Sequence, residues 1–252
     1  MSEWTSILWF VASLALLFLV TPWFSRRVQG PIFLLTGNPV IALYAYFALL
    51  LPGILVHELS HWVVAQALGM RTGKLSLRPR ARRDGRVQMG ALEYQRVDAL
   101  RESVVGLAPL LAGTAVVLLI AHARFGLSLG SAWDLSALPG GLLAATRTKD
   151  AWLWIYLLAA VSNAMLPSAS DRASWRTVSI YSVLAALGVL GLYALGAFAR
   201  VPDPLVGVGL RLQRYLALAF TVAILLDVAI GAIFWAVEGI LGLTLRRRLE
   251  AR

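Results

Sequence analysis

One short motif in this sequence has the residue types and the spacing of a catalytic metal site. His57, Glu58 and His61 form an HExxH pattern. On a helix, residues i and i+4 lie on one face, one turn apart, so the two imidazoles can bind one zinc ion. Glu58 lies beside them, where its carboxylate can take a proton from water and later deliver it to a leaving amine. The motif therefore predicts zinc-dependent hydrolysis, with two histidine ligands and Glu58 as the general base.

The motif is also unusual for its surroundings. The chain has only three histidines, and the HExxH pattern falls within a long apolar stretch. Ionisable side chains in such a stretch are costly unless they are paired or bound to a metal, so a functional role is the default interpretation. A polar cluster that hydrogen-bonds a neighbouring helix is the structural alternative.

A catalytic zinc ion needs a third protein ligand and one open position. The chain has no cysteine, which excludes a thiolate, and His122 stands alone at the end of an apolar stretch, as interfacial histidines do. Asp171 follows Pro167 and several small polar residues, and backbone of this irregular kind is tolerated at membrane depth where it lines a cavity. Asp227 and Glu238 lie about three helical turns apart. They favour a polar stripe facing the bundle interior, although either could be the third ligand or line a substrate gate.

The composition indicates that most of the chain lies in lipid. Of the 252 residues, 59% are hydrophobic, against about 45–50% in a soluble domain. The apolar stretches are long enough to cross a hydrocarbon core of about 30 Å. We expect an all-α polytopic membrane protein with one domain over residues 1–252. Its six predicted spans cover residues 6–24, 39–70, 102–122, 151–167, 178–198 and 215–244.

The segment 71–101 differs in kind from the apolar stretches, because it is polar and strongly basic. Residues 74–78 alternate polar and apolar side chains, and residues 87–94 partly do the same. Asp84-Gly85 between them is a strong hairpin signal. We expect a small β-hairpin at the membrane surface, directly after the HExxH helix. A disordered basic loop is the alternative.

The net charge of +10 is better explained by the membrane than by nucleic acid. Basic residues flank membrane spans and contact anionic headgroups, and no nucleic-acid recognition motif accompanies the charge. If the second span ends in the cytoplasm, 15 of the 23 Lys and Arg residues face that side. The expected location is therefore the inner or plasma membrane of a prokaryote, as a multi-pass protein with both termini cytoplasmic.

Taken together, these features resemble the site-2 protease family of intramembrane metalloproteases. The resemblance rests on HExxH in an apolar span, on the β-segment after it, and on Asn163 placed eight residues before Asp171. The family pattern there is N-x-x-P-x-x-x-x-D-G. In this chain Pro167 stands one position late and Arg172 replaces the glycine. Residues 106–109 are a loosened version of the family's Gly-Pro, and the match extends from the second span through the fourth.

The resemblance implies an activity and a set of site residues. His57, His61 and Asp171 would bind one zinc ion per chain, with Glu58 as the general base. Asn163 would face the substrate and hold the scissile peptide or its oxyanion. The implied reaction is hydrolysis of peptide bonds within or near transmembrane helices of other membrane proteins. The expected partners are therefore a transmembrane protein substrate and the lipid bilayer.

Two other functions fit parts of the sequence. One is a CAAX-type membrane endopeptidase, in which a later glutamate, here Glu238, would be the third ligand. The other is a metal-binding transporter or membrane scaffold with no enzymatic activity. A transporter is expected to carry intramembrane ligands on several spans and some internal repeat symmetry, and the sequence shows neither.

Overall fold

A computed structural model describes a largely helical chain. The expected hairpin turn at 83–86 lies outside the described residues, and of the predicted span 178–198 only residue 180 is described. The described residues are 3–77, 80–81, 87–88, 90–95, 97–126, 147, 149–168, 170–172, 175, 180 and 203–250.

Five helices make up most of the described chain, and four of them are long and apolar enough to cross a membrane. The fourth helix is apolar but has only 14 residues. The chain is therefore a membrane protein, although six spans are not confirmed. The helices are α1 (Glu3–Thr36), α2 (Pro39–Ala67), α3 (Ala99–Phe125), α4 (Ala151–Ala164) and α5 (Asp203–Glu250).

Helices α1 and α5 pack along each other and run in the same direction. Trp9 Nε1 donates a hydrogen bond to Thr221 Oγ1 at 3.0 Å, and further along both helices Arg27 forms an ion pair with Glu238 at 2.9 Å. The start of α1 and the end of α5 therefore lie at opposite ends of the bundle.

Local capping explains where α2 and α3 begin. The Asn38 side chain accepts hydrogen bonds from the first backbone N–H groups of α2, directly after Gly37, which has a φ of 64°. The tight turn makes α1 and α2 an antiparallel pair. Asp98 caps α3 in the same way through the backbone N–H of Arg101, since the side-chain oxygens of Asn and Asp satisfy otherwise unpaired donors at a helix start.

The segment after α2 forms the predicted hairpin. Strand β1 (Thr72–Ser76) pairs antiparallel with β4 (Ala91–Tyr94), and inside this pair β2 (Arg80–Ala81) pairs with β3 (Val87–Gln88).

The hairpin packs back against α2. Leu77 packs against a buried cluster that contains Leu50 and Ile54 of α2, and Gly90 contacts Glu58. The hairpin thus lies against the face of α2 that carries these residues. Gly90 permits this approach because it has no side chain to keep the strand away from the helix.

Candidate metal centre

The two histidines of the motif lie on one face of α2, and each is held by a backbone carbonyl of a different segment. The Nδ1 atom of His57 lies 2.6 Å from the carbonyl oxygen of Ala164, and that of His61 lies 2.8 Å from the carbonyl oxygen of Val105. A carbonyl only accepts, so each Nδ1 carries the proton and donates. Each Nε2 is then left with a free lone pair, which is the form of histidine that binds a metal.

Asp171 is brought to the histidines by a short turn after α4. The backbone N–H of Ser168 donates to Asp171 Oδ2 at 2.6 Å, and the Asp171 N–H donates to Ser168 Oγ at 3.3 Å. This reciprocal pair has the pattern of a capping box.

Three donor atoms meet at one point between α2 and this turn. The Nε2 atoms of His57 and His61 are 3.2 Å apart. Asp171 Oδ1 lies 3.3 Å from His61 Nε2, and Asp171 Oδ2 lies 3.5 Å from His57 Nε2. Ligands at about 2.0–2.1 Å from one tetrahedral zinc ion are about 3.3–3.4 Å apart. The group could therefore hold a metal ion, and the spacing of its donor atoms fits zinc.

Two glycines allow the backbones to approach closely enough for this arrangement. A Cβ atom on Gly53 of α2 would overlap the carbonyl oxygen of Ala160 in α4, and one on Gly106 of α3 would overlap the carbonyl oxygen of Asp171. The first contact places the end of α4 beside His57. The second places the turn that carries Asp171 against α3, so Gly106 has a packing role in the centre.

Glu58 lies in the wall of a cavity beside the three donor atoms. Glu58 is only 5% exposed, and its carboxylate is in contact with Gly90, the residue directly before β4. A Cβ atom at Gly90 would overlap Glu58 Oε1 and lie 2.8 Å from Glu58 Cδ. The hairpin therefore limits the positions that the carboxylate can occupy.

The cavity has a volume of about 540 Å³ and lies between α1, α2, β4 and the end of α4. Its lining joins the polar centre to the edge of the hairpin, and strand β4 contributes Leu92, Glu93 and Tyr94. Asn163 also lines this cavity. The space is large enough for several residues of an extended peptide, since a small-molecule site commonly occupies about 300–1,000 Å³.

The three carboxylates that the sequence left as candidates for the third ligand have different partners in the structure. Asp171 joins the two histidines. Asp227 is fully buried and accepts a hydrogen bond from Asn163 Nδ2 at 2.6 Å. Glu238 forms the ion pair with Arg27. Geometry therefore favours Asp171, and it gives the other two carboxylates different partners.

Sequence reasoning missed the groups that hold the ligands in place. Ala164 and Val105 act through backbone carbonyls, which leave no signature in residue type. Ser168 did leave one, because S-x-x-D is the spacing of a capping box. His122 lies in the last turn of α3 and is not a member of the metal-binding group.

Replacing Gly90 with alanine tests the contact with Glu58. The new methyl group would displace the Glu58 carboxylate, so we expect any hydrolytic activity to fall by up to about 10²-fold, as small misplacements of a catalytic group can cause. Bound metal should stay at the wild-type level. Gly239→Ala is a matched control, because a Cβ there would meet no side chain or neighbouring segment within 4 Å among the described residues. Unchanged activity in Gly90→Ala would contradict a constrained Glu58.

The chain matches no family model, and neither the curated proteins nor the solved structures contain a match to it.

Proposed function

We propose that this protein is a zinc-dependent intramembrane endopeptidase that hydrolyses peptide bonds within or near transmembrane helices of other membrane proteins. One observation carries the proposal. The donor atoms of His57, His61 and Asp171 converge beside Glu58, at the wall of a cavity that is lined in part by α1 and α2, two helices long and apolar enough to cross a membrane. A pair of imidazoles, one carboxylate ligand and an adjacent free carboxylate are the parts of a metallopeptidase centre.

The donor set supports zinc over other biological cations. Two imidazoles and one carboxylate suit zinc and related first-row metals, whereas calcium and magnesium prefer oxygen ligands. The hydrogen bonds from His57 and His61 to carbonyl oxygens fix both rings, and such outer contacts are typical of metal-binding histidines. Three protein ligands would leave one position open, as a catalytic site requires.

The chain's own residues can perform the proton transfers of peptide hydrolysis. A bound zinc ion would lower the pKa of a coordinated water molecule and polarise the scissile carbonyl. Glu58 would take the proton from that water and deliver it to the leaving amine. Glu58 lines the same cavity as the three donor atoms, which places its carboxylate beside that water.

Strand β4 is a candidate guide for the substrate. A helical segment shields its own carbonyls, so the substrate must be extended where it is cut. Among the described strands, β4 pairs with β1 alone, and its residues line the cavity. An extended peptide could add to its other edge through main-chain hydrogen bonds.

The alternative functions receive different support. In a CAAX-type endopeptidase Glu238 would complete the centre, but its carboxylate lies against Gly30 and pairs with Arg27. That arrangement argues against the alternative. A metal-binding transporter or scaffold would also use the His-His-Asp group, but Glu58 would then have no role beside it.

Removal and return of metal test the proposal directly. The purified protein would be reconstituted with single-span substrates, and the cut positions would be mapped by mass spectrometry. We expect cleavage within or near the transmembrane segment, its loss after treatment with a chelator, and its recovery with stoichiometric zinc. Metal-stimulated transport with no cleavage of any substrate would instead support the transporter.

A further inference from the structure

A buried polar pair joins the cavity wall to the core of α5. Asn163 Nδ2 donates to Asp227 Oδ1 at 2.6 Å and to the carbonyl oxygen of Ala159 at 3.0 Å. Asp227 is fully buried and Asn163 is 8% exposed. A carboxylate is costly to bury between membrane helices, so such a residue calls for a functional explanation.

The two acceptors fix the orientation of the Asn163 amide. Asp227 Oδ1 and the Ala159 carbonyl both lie beside the same end of the side chain. If the amide were turned over, its own oxygen would face two acceptors and both hydrogen bonds would be lost. The two N–H groups of Asn163 are therefore both used inside the protein.

The opposite end of the amide has no partner in the described part of the chain. Asn163 Oδ1 forms no hydrogen bond among the described residues, although it is buried. An unpaired buried acceptor is rare in native proteins and points to a missing donor. Asn163 lines the cavity together with His57 and Glu58, so a group bound in the cavity is the nearest source of such a donor.

We infer that Asp227 is a positioning residue, which turns Asn163 so that Oδ1 accepts a backbone N–H of the extended substrate. This inference rests on the proposed function and deepens it. It decides between the two roles that the family resemblance implies for Asn163, because an amide with both N–H groups engaged cannot donate to an oxyanion. Asn163 would hold the peptide, and oxyanion stabilisation would come from elsewhere.

Substrate affinity, measured in protein that cannot cleave, distinguishes an acceptor role of Asn163 from a donor role. Every variant would carry Glu58→Gln as well, and the probe would be a labelled single-span peptide that the wild-type protein cleaves. Asp227→Leu removes the positioning acceptor, and we expect the Kd to rise about three- to tenfold, as loss of one hydrogen bond predicts. Asn163→Asp places two carboxylates face to face and should weaken binding further.

The exchange of the two side chains is the decisive variant. Asn163→Asp combined with Asp227→Asn keeps the atoms and the net charge of the pair, and it still leaves an oxygen facing the cavity. We expect binding to recover to within about threefold of the Glu58→Gln parent, because one reversed hydrogen bond is retained. If Asn163 acts as a donor, the exchange removes that donor, and binding will remain as weak as in Asn163→Asp.

Several outcomes would overturn the inference. Wild-type affinity in Asp227→Leu would show that Asp227 positions nothing, and failure of the exchange would show that the acceptor role is wrong. Metal content, measured in parallel, identifies any variant that fails to fold. If the parent binds peptide and the wild-type protein cleaves it, either result removes the inference alone. If no single-span peptide is bound or cleaved, the proposed function falls and the inference falls with it.

Discussion

Replacing Glu58 with glutamine is expected to reduce cleavage of a membrane substrate by roughly 10²–10⁴-fold, the usual contribution of a general acid–base group. The amide keeps the size of the side chain but cannot take a proton from water. Because Glu58 lies beside the donor atoms without joining them, bound metal should remain at the wild-type level. Single-turnover cleavage and elemental analysis on the same preparation measure both quantities.

Glu93→Gln is the matched control for this experiment. Glu93 lines the same cavity, but it is exposed, and strand addition to β4 would use the main chain rather than this side chain. The same chemical change at that position should alter cleavage only slightly. Undiminished cleavage in Glu58→Gln would end the assignment of Glu58 as the base, whereas an equal loss in both variants would indicate a general effect of cavity charge.

The second large effect is expected at the third ligand. Asp171→Ala should weaken metal binding by more than about 10²-fold, since even the loss of an outer contact to a metal ligand costs about 10–100-fold. Cleavage should disappear with the metal. Glu238→Ala should retain the metal, because Glu238 pairs with Arg27 rather than with the histidines. Titration of the metal-free proteins with zinc gives both affinities.

The opposite result would support the CAAX-type alternative. If Glu238→Ala loses its metal and Asp171→Ala retains it, the third ligand is Glu238, and the turn after α4 has another purpose. The zinc affinity of Ser168→Ala should lie between those of Asp171→Ala and the wild-type protein. This variant removes one of the two hydrogen bonds that hold Asp171 and leaves the carboxylate in place.

The parts of the site that follow from helix geometry could be predicted from sequence. His57 and His61 are four residues apart, so any helix through them places both imidazoles on one face. The hairpin was predictable for a similar reason, because alternation on both sides of Asp84-Gly85 specifies antiparallel pairing. Both features depend on contacts that are local in the chain.

The parts that depend on distant contacts were not predictable in the same way. The contact between the hairpin and α2 depends on the absence of a side chain at Gly90 and on the packing of Leu77. Neither contact can be read from the alternation of polar and apolar residues. The partner of Asp227 is Asn163, 64 residues away, and a polar residue in a span does not reveal what it faces. The relative direction of α1 and α5 likewise depends on packing between segments at opposite ends of the chain.

The metal content of the purified wild-type protein tests the central claim most directly. Elemental analysis is expected to find one zinc ion per chain, and zinc-edge X-ray absorption should show two imidazole nitrogens and carboxylate oxygen at about 2.0–2.2 Å. A double variant, His57→Ala with His61→Ala, should contain none. Wild-type protein without stoichiometric metal, or with metal that persists in the double variant, would contradict a centre built on these two histidines.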